Sequence, residues 1–179
     1  MLLSPNLHGV NHKVNTMSST QVHLHQTHHT IADFDSIFDY LDKELGKDCN
    51  GIHAFPELFL CGYPLQDLCL QKPFIESYKN HLKKINTWSK KLKGDGLILL
   101  GGLKYEFDDQ GLPYKIFNGI YALKPGKELE WVYTKKLLPN YDIFDEKKYF
   151  TAGSENDFFI KHNETNIALM VCEDMWPNS

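Results

Sequence analysis

The 179-residue sequence contains no window approaching the ~20 consecutive apolar residues of a helical membrane span, so no membrane partner is expected. It has no basic excess: 19 Lys+Arg stand against 23 Asp+Glu, a net charge of −4. A nucleic-acid surface normally carries a cationic footprint, so nucleic acid is not an expected partner either. Its four cysteines (Cys49, Cys61, Cys69, Cys172) form no C-x-x-C pair and are too sparse for a disulfide scaffold. That favours a reducing, cytoplasmic compartment. The opening MLLSPNLHGVNHKVNTMSST lacks the unbroken apolar centre and cleavage site of a signal peptide. Residues 1–20 are polar and without period, and read as a disordered leader, with Met17 an alternative start. What the chain does have is core material: 42% hydrophobic and 13% aromatic residues, enough for one ordinary domain.

Periodicity divides that domain, residues 21–179. Val22 and Leu24 alternate with His23 and His25, as in a short half-buried strand. In DFDSIFDYLDKEL the apolar residues Phe34, Ile37, Phe38, Leu41 and Leu45 recur at helical spacing, with Asp33 or Asp35 as N-cap and Gly46 at the C-cap. Gly51–Phe55 is a short run leading into PELFLCGYP. Pro73 opens a second helix, striped by Phe74, Tyr78, Leu82, Ile85, Trp88 and Leu92 and stopped by Gly94. The period then changes. Leu97–Leu100 reads as a strand covered on both faces, followed by hairpin strands over Lys104–Phe107, Ile116–Leu123 and Glu128–Thr134. Phe158–Ile160 and Ile167–Val171 are two more strands, separated by the polar turn KHNET. The class is α/β, a sheet with helices on one face.

Three residues at predicted strand ends could carry chemistry. Cys172 follows an apolar strand, where a sulfur can enter a cleft beside backbone N–H groups. The commoner role of such a cysteine is buried structure. Glu57, in FPELF, is a carboxylate in an apolar setting, where desolvation favours the neutral acid and suits general acid–base work; an ordinary turn glutamate is the competing role. Lys135 and Lys136 close a strand and point to opposite faces, so one can enter a cleft while the other is solvated. The intervals between these residues are long, and only folding could bring them together.

The segments FPELFLCGYP, KKLLPNYDIFDEKKYF and ALMVCEDMW resemble the three signatures of the nitrilase, or carbon–nitrogen hydrolase, superfamily. LPNYDIFDEKKYF and GYPLQDLCLQKPFI are further similar to the glutaminase domain of glutamine-dependent NAD synthetases. The resemblance implies an α-β-β-α sandwich and a Glu–Lys–Cys triad. Glu57 matches the general base and Cys172 the nucleophile. Counting back from Pro139 in K-x-x-L-P selects Lys135. Tyr141 matches a tyrosine of the glutamine pocket, and Glu146 the second glutamate that orients the lysine and the substrate amide. Tyr63 and Phe144 are pocket candidates or core aromatics, and the backbone N–H of Glu173 is a candidate oxyanion donor.

The implied substrate is L-glutamine. The implied partner is a synthetase domain using ATP and Mg, which this segment does not carry; it needs no cofactor of its own. A homo-oligomer is expected for the full-length protein. The sequence stops seven residues after Cys172, so the expected sandwich is truncated after the nucleophile strand. A stand-alone amidase and a non-catalytic remnant are the competing readings. Six of the nine histidines lie within His8–His29, but no carboxylate or cysteine cluster joins them at ligand spacing, and no metal site is expected.

Overall fold

Alternating apolar and polar residues decide the layers of this protein, seen in a computed structural model that describes residues 19–154 and 158–176. The elements are β1 (Val22–Leu24), α1 (Phe34–Leu45), β2 (Ile52–Ala54), α2 (Lys72–Ser89), β3 (Leu97–Phe107), β4 (Pro113–Leu123), β5 (Glu130–Thr134), β6 (Phe159–His162) and β7 (Thr165–Ala168). Single 3-10 turns occupy Gln66–Leu70, Glu146–Lys148 and Cys172–Met175. Strands β1 to β5 form one sheet in chain order, parallel through β3 and antiparallel beyond it; β6 and β7 pair as a separate hairpin.

Successive residues of β3 feed opposite faces. Ile98 and Leu100 pack with Ile37 and Leu41 of α1 and Tyr78 and Ile85 of α2. Leu97 and Leu99 pack the other way, with Ile52, Tyr133, Leu169 and Val171. The result is a nitrilase-like α/β arrangement: helices on one face of the sheet and the β6–β7 ribbon with its following segment on the other.

Several elements depart from the sequence reading. In β1 the faces are exchanged: Val22 and Leu24 are 55% and 81% exposed. The histidines take the other face instead: His23 stacks on His53, and His25 meets Tyr40 of α1, stacks on Phe55 at 4.1 Å and bonds His53. Alternation defines two faces but not which one is inward. Helix α1 matches its expected span, and Asp33 accepts from Ser36 N as the N-cap. Helix α2 ends at Ser89, short of Gly94; the Ser89 hydroxyl bonds the Asn86 and Lys127 carbonyls and ties the last turn down, and Leu92 is buried in the loop beyond. Strand β3 runs unbroken through Gly101 and Gly102 where two pieces were expected. A Cβ on Gly101 would overlap the Pro56 carbonyl and come within 2.6 Å of Leu58 N, so the glycine lets the Glu57 loop lie against the strand. The β6–β7 turn is only Asn163–Glu164, tighter than KHNET, with Asn163 at φ +52°. Of the expected leader, all but Ser19 and Thr20 lies outside the described residues, and Thr20 Oγ1 is 2.8 Å from Thr165 Oγ1.

Candidate active site

The site begins where β2 and β5 end. Glu57 leaves the sheet three residues after β2, and the next residue, Leu58, sits at φ +50°. Lys135 directly follows β5; its N–H donates to Asn118 O at 2.9 Å and its carbonyl accepts from Gly153 N at 2.8 Å. Its side chain is fully buried. Nζ lies 2.7 Å from Glu57 Oε1, and 3.0 and 2.8 Å from the two Glu146 oxygens. Such an ammonium is tolerable in the interior only because two carboxylates face it at hydrogen-bond distance. Tyr63 OH donates to Glu146 Oε1 at 3.0 Å, and Asn118 Nδ2 to Glu57 Oε1 at 2.6 Å.

Cys172 stands at φ +46°, in the left-handed region that a side chain enters at a cost, and it opens the 3-10 turn after β7. It is exposed, and shares with Glu57 a cavity of about 410 Å³ walled by Pro56, Gly101, Ile120 and Val171. Burial and then the adjacent Glu57 push the thiol pKa up, while Lys135 pulls it down. For Lys135 burial alone would depress the pKa, yet Glu57 and Glu146 outweigh it and hold the ammonium above the usual lysine value. Burial raises the Glu146 carboxyl against the pull of Lys135, and burial followed by Glu146 raises the Tyr63 phenol.

The fold thus gathers Glu57, Lys135, Glu146, Tyr63 and Cys172, and separates Lys136, whose Nζ lies over the Phe158 ring at 5.3 Å. Glu57 is not the lone carboxylate its apolar neighbours suggest: Lys135 and Asn118 both bind it. Tyr141 is 55% exposed and donates to the Glu173 carboxylate at 3.0 Å; Phe144 meets Tyr141 edge-on at 5.7 Å. Sequence reasoning missed Asn118, whose signal was a single amide inside the apolar strand IFNGIYAL, since a buried amide needs a partner. It also missed Asp174 and the side chain of Glu173, whose partners come from distant segments with no spacing rule. His25 Nε2 and His53 Nδ1 face each other at 3.0 Å as a hydrogen bond. Among the described residues no three His, Cys, Asp or Glu converge as metal ligands.

Strand-end carboxylate, buried lysine and cleft cysteine on a nitrilase-like sheet define a class, and residues 48–178 match the carbon-nitrogen hydrolase family. The chain belongs to that family. It is 35% identical over 123 residues to the glutamine-dependent NAD(+) synthetase of Synechocystis sp., an alignment covering 68% of this chain and 21% of that protein. The structure of glutamine-dependent NAD+ synthetase from Acinetobacter baumannii superposes with a TM-score of 0.71 at 26% identity, over 90% of this chain and 29% of that one. An amidase of the nitrilase superfamily from Nesterenkonia has the same fold, with a TM-score of 0.68 at 18% identity over 87% and 56% of the two chains. This chain therefore spans about a fifth to a third of the length of the synthetases it resembles.

Proposed function

We propose that this chain is the glutamine-hydrolysing segment of a glutamine-dependent NAD synthetase, with Glu57, Lys135 and Cys172 as its triad. One observation carries the reading: the buried Lys135 ammonium bridges Glu57 and Glu146 beside the cavity that Glu57 shares with Cys172. Lys135 and Asn118 both bind Glu57 at Oε1, which leaves Oε2 for the reacting proton. Glu57 takes the thiol proton as Cys172 sulfur attacks the side-chain amide carbon of L-glutamine. Lys135 and the Glu173 backbone N–H stabilise the oxyanion. The proton passes from Glu57 to the departing nitrogen, the C–N bond breaks, and ammonia leaves a γ-glutamyl thioester. Water, deprotonated by Glu57, adds to the thioester and frees glutamate and the thiol. Glu146 and Tyr63 hold Lys135 in place, and Tyr141 and Phe144 wall the glutamine pocket.

The ammonia would serve a synthetase domain using ATP and Mg, to which no residue of this chain is assigned. The test compares ammonia release by the full-length protein from L-glutamine and from acetamide and butyramide. Preference for glutamine is expected. Hydrolysis of the simple amides without glutamine would replace this reading with that of a stand-alone amidase.

A further inference from the structure

We propose that Asp174 is the positioning residue that holds the Cys172 turn at a fixed distance from Lys135. One carboxylate ties together the chain segments on either side of Lys135 and of Cys172. Its Oδ1 accepts the N–H groups of Lys136 at 3.0 Å and Leu137 at 2.8 Å, the two residues directly after Lys135. Its Oδ2 accepts the Tyr133 hydroxyl at 2.8 Å, two residues before Lys135, and the Val171 N–H at 3.2 Å, the residue before Cys172. The Asp174 N–H closes the loop by donating to Val171 O at 3.0 Å.

The bonds flank Lys135 on both sides and enclose Cys172 between Val171 and Asp174. Asp174 bonds the backbone on either side of Lys135 and before Cys172, so its influence passes through backbone. That influence is needed because the turn is strained: Cys172 sits at φ +46°, and a residue in that region stays there only when its surroundings over-determine it. Charge strengthens the brace, since hydrogen bonds to an ionised acceptor are shorter and stronger than neutral ones. Without it the turn can relax outward, moving Cys172 away from Glu57 and Lys135 together.

The proposal rests on the triad reading above and is tested in the full-length protein with Asp174→Ala and the near-isosteric Asp174→Asn. The amide keeps one acceptor oxygen but presents an NH₂ group to backbone N–H donors at the other position. Asp174→Ala should lower kcat for glutamine by about 10²-fold, the scale of an ångström-sized misplacement, with little change in KM. Asp174→Asn should lose less. In both, the pH midpoint of Cys172 alkylation by iodoacetamide should fall toward that of an ordinary thiol, as sulfur leaves Glu57 and enters water. A purely structural role would reduce the amount of folded protein and leave that midpoint where it is. Asp174→Asn with wild-type kcat and an unchanged midpoint would overturn the proposal. Were the wild type unable to hydrolyse glutamine, the triad reading would fail, while the alkylation midpoint would still report on Asp174.

Discussion

Lys135 and Lys136 are chemically identical neighbours with different surroundings. The first is sealed between two carboxylates; the second lies over an aromatic ring near the surface. Strand alternation implied in the sequence that the two diverge, and the resemblance, through its K-x-x-L-P pattern, implied that Lys135 is the one that turns inward. Lys135→Ala should cost on the order of 10²–10³ in glutaminase rate, the usual loss on removing an oxyanion donor, and Lys136→Ala far less. Steady-state kinetics of the two variants check the ranking. The Cys172 thiol offers a second measurement. Burial and Glu57 raise its pKa, so alkylation should accelerate with pH around a midpoint above the ordinary thiol value. Glu57→Gln removes the negative neighbour and should move that midpoint down; an upward move would contradict the geometry. Asn118 and Asp174 were not legible in this way, because each acts across an interval that only tertiary structure closes.

Among the elements, α1 and the β4 and β5 strands were readable because their apolar spacing and turn residues agree with the fold. The unbroken β3 was not, since Gly101 and Gly102 look like a break until the Glu57 loop is seen resting on the strand. In β1 the alternation was legible but not its inward face: His23 stacks on His53, and His25, just beyond the strand, packs with Tyr40 and Phe55. Helix α2 carries an acid-sensitive feature. His81 is 2% exposed, neither ring nitrogen has a partner among the described residues, and burial lowers its pKa to about 4. A histidine held neutral when folded but free to protonate when unfolded opposes folding in acid. The contribution is absent above pH 6.5 and grows as pH falls from 6.5 to about 4. Over that window it reaches about 3 kcal/mol. In the full-length protein His81→Leu should flatten the fall in urea-unfolding stability across this range. An equally steep fall in the variant would remove His81 as its source.

At the scale of the molecule, the family was legible because three short segments keep their residue types and order. Their meeting was not legible, because 78 residues separate Glu57 from Lys135 and 37 separate Lys135 from Cys172. The side of the sheet that carries Cys172 leaves much apolar surface wet: Leu24 is 81% exposed, Phe159 61%, Met170 52% and Trp176 62%. A polypeptide of these 179 residues alone is therefore expected to self-associate and to turn over glutamine far more slowly than the full-length protein. Light scattering and ammonia release check this, and a monodisperse, fully active 179-residue polypeptide would contradict it.

The central claim is that Cys172 carries the glutamine half-reaction and nothing else. Its most direct test is NAD formation by full-length Cys172→Ala, with glutamine or with ammonium as nitrogen donor. The account predicts that glutamine-driven synthesis disappears while ammonium-driven synthesis persists near the wild-type rate; glutamine-driven synthesis surviving in that variant would contradict it.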